Sequence, residues 1–110
     1  MASPTQVELE VFSGRVNPSW DLPAEDASEL ARRLAGLPPL TRPPGEPGLG
    51  YRGFVISSPG RIVRVYQGVV TVSEGGATRH YRDAGQLESW LAGQAKARGH
   101  GDLVAGIASP

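Results

Sequence analysis

No cysteine occurs among the 110 residues, which excludes disulfide staples, a thiolate nucleophile and any zinc site built on sulfur. Net charge is also missing, because eleven Lys and Arg balance eleven Asp and Glu. Without a whole-molecule field, general nucleic-acid binding and attraction to an anionic membrane surface lose their usual electrostatic basis. No window approaches the roughly 18 consecutive apolar residues that a spanning helix needs. The opening Met1 to Gln6 lacks the basic-then-apolar pattern of an export signal. These absences point to a cytoplasmic protein, or one already processed, with no membrane role.

Histidine is scarce as well. His80 and His100 are the only neutral nitrogen ligands, and neither has a second His or a carboxylate at helical ligand spacing, so no metal site is expected. His80 lies in Arg79-His80-Tyr81-Arg82-Asp83, where Asp83 could orient a base, but it reads better as an exposed strand histidine beside Arg. No Gly-x-Ser-x-Gly elbow brings a serine to a histidine. The carboxylates Glu25, Asp26 and Glu29 belong to the first turns of a helix, where the helix dipole accounts for them. The Gly-rich pieces lack the features of a phosphate cradle, since Gly45 to Gly50 is broken by Pro47 and Gly75-Gly76 joins two strands. The expectation is a protein that is not an enzyme, with no catalytic residues and no cofactor.

What is abundant is glycine, at fifteen residues, and proline, at ten. They cluster between periodic segments instead of spreading evenly, which implies ordered elements joined by long or stiff loops. At 110 residues there is material for one core, taken here as a single domain over 1–99 with a loosely ordered tail over 100–110. Ten of the eleven basic residues are Arg, a bias that fits a GC-rich bacterial genome. Residues 1–50 carry four basic and seven acidic side chains, and residues 51–110 carry seven and four, which makes the chain mildly dipolar from end to end.

Val7, Leu9 and Val11 alternate with polar residues as in a strand with one buried face. Phe12 to Trp20 contains Gly14 and Asn17-Pro18 and should reverse the chain. A helix is expected over about 22–36, capped by Asp21, with Pro23 in its first turn and Ala27, Leu30, Ala31, Leu34 and Leu37 as its apolar stripe. Residues 38–50 hold five Pro and three Gly and can form neither helix nor central strand. Four short strands then follow, within 51–57, 62–66, 69–72 and 77–81, separated by tight turns at Pro59-Gly60, Gln67-Gly68 and Gly75-Gly76. Asp83 is placed to cap a last helix that buries Leu87, Trp90, Leu91 and Ala95, with Trp90 as the expected core anchor. Leu103 to Ile107 could add an edge strand.

The order β-α-β-β-β-β-α implies an α+β fold, a mostly antiparallel sheet of four to five strands with two helices on one face. Its other face stays open, with Glu8, Glu10, Arg64, Tyr66, Thr71, Thr78 and His80 on it. The order of elements over most of the chain is similar to that of small bacterial metalloprotease inhibitors of the emfourin type. The resemblance implies a small inhibitory fold and carries over no inhibitory residue.

The expected function is therefore a non-enzymatic protein-binding module, an inhibitor or regulator being one version. Its candidate contact residues are Phe12, Arg15, Asn17 and Trp20 in the first turn and Arg64 and Tyr66 on the sheet. Arg and large aromatics dominate binding hot spots, although Phe12 and Trp20 read better as folding under the sheet to lock the strand-to-helix crossing. Arg42-Pro43-Pro44 could serve as an extended ligand or as a stiff connector. Two further readings stand behind this one. A single-stranded nucleic-acid platform could use Arg52, Arg61, Arg64, Arg79 and Arg82 with Tyr51, Tyr66 and Tyr81, although strand alternation should split them between faces. A homo-oligomer could pair an exposed edge within 69–81 or the tail.

Overall fold

The computed structural model describes residues 5–11, 17–40 and 52–104. Phe12, Arg15, Tyr51 and the Arg42-Pro43-Pro44 run lie outside them.

The first strand, β1 (Thr5–Leu9), buries Val7 and Leu9 completely and turns Gln6 and Glu8 outward, as its alternation requires. The expected turn into a helix is a hairpin instead. Leu9 N–H donates to the Pro18 carbonyl at 2.9 Å, and β2 (Ser19–Leu22) runs back antiparallel along β1, pairing Val7 with Trp20 and Thr5 with Leu22. Only four residues long, β2 alternates exposed Ser19 and Asp21 with buried Trp20 and Leu22. Asp21 is therefore a strand residue and not a helix cap.

Helix α1 (Ala24–Leu34) starts from Pro23, whose carbonyl accepts from Ala27 N–H at 2.9 Å without any side-chain cap. Glu25 and Asp26 in its first turn and Arg32 and Arg33 in its last complement the helix dipole. Of the expected stripe only Leu30 is fully buried. Leu34 and Leu37 pack partly against the core, and Ala31 is exposed.

The meander follows: β3 (Phe54–Ser58), β4 (Arg61–Tyr66), β5 (Val69–Glu74) and β6 (Ala77–Arg82). Its turns are those that the residues demand. Gly60 follows Pro59 at φ +76°, and both central residues of Gln67-Gly68 and of Gly75-Gly76 have positive φ, the right-twisted geometry of two-residue hairpins. β3 also pairs with β1, so the six strands form one wholly antiparallel sheet in the order β2-β1-β3-β4-β5-β6. The sixth strand is β2, formed by residues whose pattern predicts a turn and a helix start.

Helix α2 (Leu87–Ala97) buries Leu87, Leu91, Ala92 and Ala95. The N-cap position is held by Gln86 and not Asp83, but the Asp83 carboxylate still satisfies the helix start, one oxygen accepting from Leu87 N–H at 2.7 Å and the other from Glu88 N–H at 2.9 Å. Trp90 is not the core anchor. It is half-buried at the helix margin, beneath the guanidinium of Arg33 at 5.1 Å. The centre is held instead by Phe54, Leu9, Leu30, Ile56, Leu87 and Leu91. Fully burying one such side chain contributes about 1.5–3 kcal/mol. A short helix α3 (Gly101–Val104) takes the first two residues of the optional edge strand, and the others, 105–107, lie outside the described residues.

Every buried strand residue, Val7, Leu9, Trp20, Leu22, Phe54, Ile56, Val63, Val65 and Val70, belongs to the sheet face that α1 and α2 cover, in one cluster with Leu30 and Leu87. The fold is thus α+β, with both helices on one side. Pro38 to Leu40 returns alongside β6: Arg82 N–H donates to the Pro38 carbonyl at 2.9 Å and Leu40 N–H to the His80 carbonyl at 3.1 Å. That half of the β6 edge is occupied, and β5 is an interior strand, so among the described residues the edge expected within 69–81 is unpaired only at the start of β6.

Candidate functional site

The face away from the helices is built by the second set of alternating residues. Strand registers place Asp21, Gln6, Ser57, Ile62, Ser73 and Thr78 in one row across the sheet, and Ser19, Glu8, Val55, Arg64, Thr71 and His80 in the next. Glu10, Tyr66, Val69 and Arg82 continue the pattern at one end. All seven residues expected on an open face are there.

Its centre is mixed in character. Val55, Tyr66 and Val69 are half-buried, and Ile62, 49% exposed, is the one large hydrophobic side chain left exposed among the described residues. Arg64 reaches across β3 to an ion pair with Glu10, which fixes the guanidinium over the sheet. Thr71 Oγ1 and His80 Nδ1 are hydrogen-bonded at 3.0 Å, and the Ser73 and Thr78 hydroxyls at 3.2 Å. The face is therefore a set of short, mutually braced polar side chains around a small apolar centre.

The first turn contributes differently from expectation. Asn17 is an internal brace: its Oδ1 accepts from Val11 N–H at 3.1 Å and its Nδ2 donates to Glu8 at 2.9 Å. Trp20 lies on the helix-covered side, 8% exposed, with its indole N–H donating to Gln94 at 2.9 Å. Its ring meets Phe54 edge-on, stacks on His100 at 6.2 Å and carries the Arg98 guanidinium at 5.4 Å. His100, a tail residue by the sequence pattern, packs against the second strand through this stack. The described candidates consequently divide in three. Arg64 and Tyr66 share the open face, Asn17 braces the margin of that face, and Trp20 faces the core. Trp20's place beneath the sheet agrees with its structural reading from the sequence, and its alternation with Leu22 on β2 puts it there.

The arginine and tyrosine platform also separates as alternation requires. Arg64, Tyr66 and Arg82 face outward, while Arg61, Arg79 and Tyr81 lie on the helix side of the strands. A shallow cavity of about 240 Å³ on that side is lined by Leu34, Leu37, Val72, Tyr81 and Arg61. Among the described residues no three His, Asp or Glu side chains gather as metal ligands do, and no helix is long and apolar enough to cross a membrane. Comparison of the chain with protein-family models, with curated proteins and with solved structures finds no match in any of the three.

Proposed function

We propose that the protein is a small non-enzymatic binding module that docks a protein partner on the open face of its sheet, inhibition or regulation of that partner being one version of the role. The observation that carries this reading is the placement of both helices on one side of a six-stranded sheet. The other side presents Ile62, Tyr66, Val55 and an anchored Arg64 on rigid strands. A site built on strands is held in place before binding, which keeps the ordering cost of association low. Arg and Tyr around a small apolar centre match the composition of interface hot spots. The nucleic-acid reading gains less, because Arg64 is already neutralised by Glu10, and Glu8 and Asp21 share the face.

The test is affinity capture from a lysate of the source cells, with open-face variants Ile62→Asp and Arg64→Ala beside a helix-side control, Arg32→Ala. A retained protein should then bind the purified domain directly in calorimetry. The expected result is binding that survives Arg32→Ala and weakens by about tenfold or more with Ile62→Asp, the scale of an interface hot spot. Equal binding by all three variants would move the site off this face.

A further inference from the structure

The strand order almost repeats the chain order, so the charge asymmetry of the sequence becomes an asymmetry in space. Residues 1–50, with seven acidic and four basic side chains, supply β1 and β2 at one side of the sheet; residues 51–110, with the reverse, supply β3 to β6. On the open face this puts Asp21 and Glu8 on the two strands of one side, with Glu10 just past β1, and Arg64 and Arg82 on the strands of the other. Arg64 and Glu10 neutralise each other near the middle. Asp21 and Arg82, both exposed and at opposite edges, have no ion-pair partner among the described residues.

Such a face is complementary to itself. A two-fold axis parallel to the strands and between β3 and β4 lays β2 and β1 of one copy over β6 and β5 of the other. The half with Asp21 and Glu8 then meets the half with Arg82, Asp21 opposite Thr78 and Glu8 opposite Thr71, and the Val55, Ile62 and Tyr66 regions meet near the axis. A symmetric pair needs this kind of isologous patch, the same surface on both copies. A zero net charge leaves no long-range repulsion to oppose it.

We infer that the open face is a self-association surface and that the protein partner it takes is a second copy of this chain, packed sheet to sheet about that axis. The inference rests on the proposed function, of which it names the partner. Six strands spaced about 4.8 Å apart and some five residues long give a footprint of roughly 24 by 17 Å per copy. That is small beside the ~800 Å² per partner of a standard interface, so the dimer is weak, concentration-dependent and sensitive to salt.

Charge exchange at exposed positions tests this without disturbing the core. One variant, Gln6→Lys with Asp21→Lys, turns the acidic half basic; the other, Thr78→Glu with Arg82→Glu, turns the basic half acidic. Sedimentation is followed over a concentration series at low and high salt, with circular dichroism melting to verify that each variant folds. The wild-type chain is expected to move from 11.6 kDa towards twice that mass as concentration rises. Each variant alone should associate at least ~10-fold more weakly, because like halves now face each other across the interface. A 1:1 mixture of the two should regain a dimer, and added salt should weaken it.

A wild-type chain that stays at 11.6 kDa to millimolar concentration, with a mixture that stays monomeric too, overturns the inference. So does a dimer indifferent to both variants, which would mean pairing elsewhere, such as at the start of β6. In either case the calorimetric test with a captured protein decides the broader reading separately. A monomer whose open face binds a different protein overturns the self-partner alone, whereas a monomer that captures nothing overturns both.

Discussion

Gly53 shows how one backbone position joins the two halves of the sheet. It sits just before β3 at φ +96°, and a Cβ built there would lie 2.2 Å from the Val65 carbonyl oxygen and 2.8 Å from Tyr66 Cβ. Its own carbonyl accepts from Glu10 N–H at 2.9 Å, while Arg52 N–H donates to the Glu10 carbonyl at 2.7 Å, so the β1 to β3 pairing extends past Leu9 only because the chain can take this turn. Gly60 has a similar φ, +76°, but open space around the missing Cβ. Gly53→Ala should therefore destabilise by about 2–4 kcal/mol, combining positive-φ strain of ~1–3 kcal/mol with the displacement of a neighbouring strand. The thermal midpoint should fall on the order of 10 °C. Gly60→Ala carries the φ strain alone and should cost about 1 kcal/mol. Circular dichroism melts of the two variants measure the difference, and equal midpoints would show that the close approach at Gly53 relaxes freely.

At the scale of elements, the helix that reads clearly in sequence and the one that does not differ in what starts them. Asp83 accepts two of the unpaired N–H groups at the start of α2, from Leu87 and Glu88, although three residues, the last of them a left-handed Gln86 (φ +53°), stand between it and the first helical residue. Asp83→Ala should lower the unfolding free energy by about 1–2 kcal/mol with an unchanged urea m-value, and Asp83→Asn should recover part of it. A loss below a few tenths of a kcal/mol would assign the cap to the backbone alone. Asp21, an equally good cap by residue type, lies in β2 because Trp20 and Leu22 bury on the sheet, and tertiary burial outweighs a local capping preference. This is why the meander and α2 were legible and the first hairpin was not. Gln67-Gly68 and Gly75-Gly76 announce two-residue turns by themselves, whereas the β1–β2 connection is longer and its returning strand has only four residues to show a period. Trp90 misled for a related reason. Its spacing from Leu87 and Leu91 places it on the apolar side of α2, but at the margin of that side, where Arg33 covers it.

For the molecule as a whole, the open-face residues could be read in advance, since alternation and two-residue hairpins fix which side each strand residue takes. Which candidates belong together could not. Trp20 joined the core only once β2 existed, and its contacts with Gln94, Arg98 and His100 bring together positions about 75 to 80 apart in sequence. The same antiparallel order that closes this loop also distributes charge. A face that carries both signs, with zero net charge behind it, suits a protein surface of matching pattern and serves a polyanion poorly, because each phosphate held near Arg82 or Arg64 approaches Glu10, Glu8 or Asp21 as well. A labelled single-stranded oligonucleotide should accordingly show no anisotropy change with micromolar protein at about 0.15 M salt, where affinity depends on how many phosphates are neutralised. Reversing the carboxylates should reverse this. Glu10→Gln with Asp21→Asn frees Arg64 and removes one acidic edge, and measurable binding at ~0.05 M salt is then expected, fading as salt rises with a slope of two or three phosphates at most. Tight, steeply salt-dependent binding by the wild-type chain would instead mean that its arginines act as one surface, against the division between faces that the strands impose.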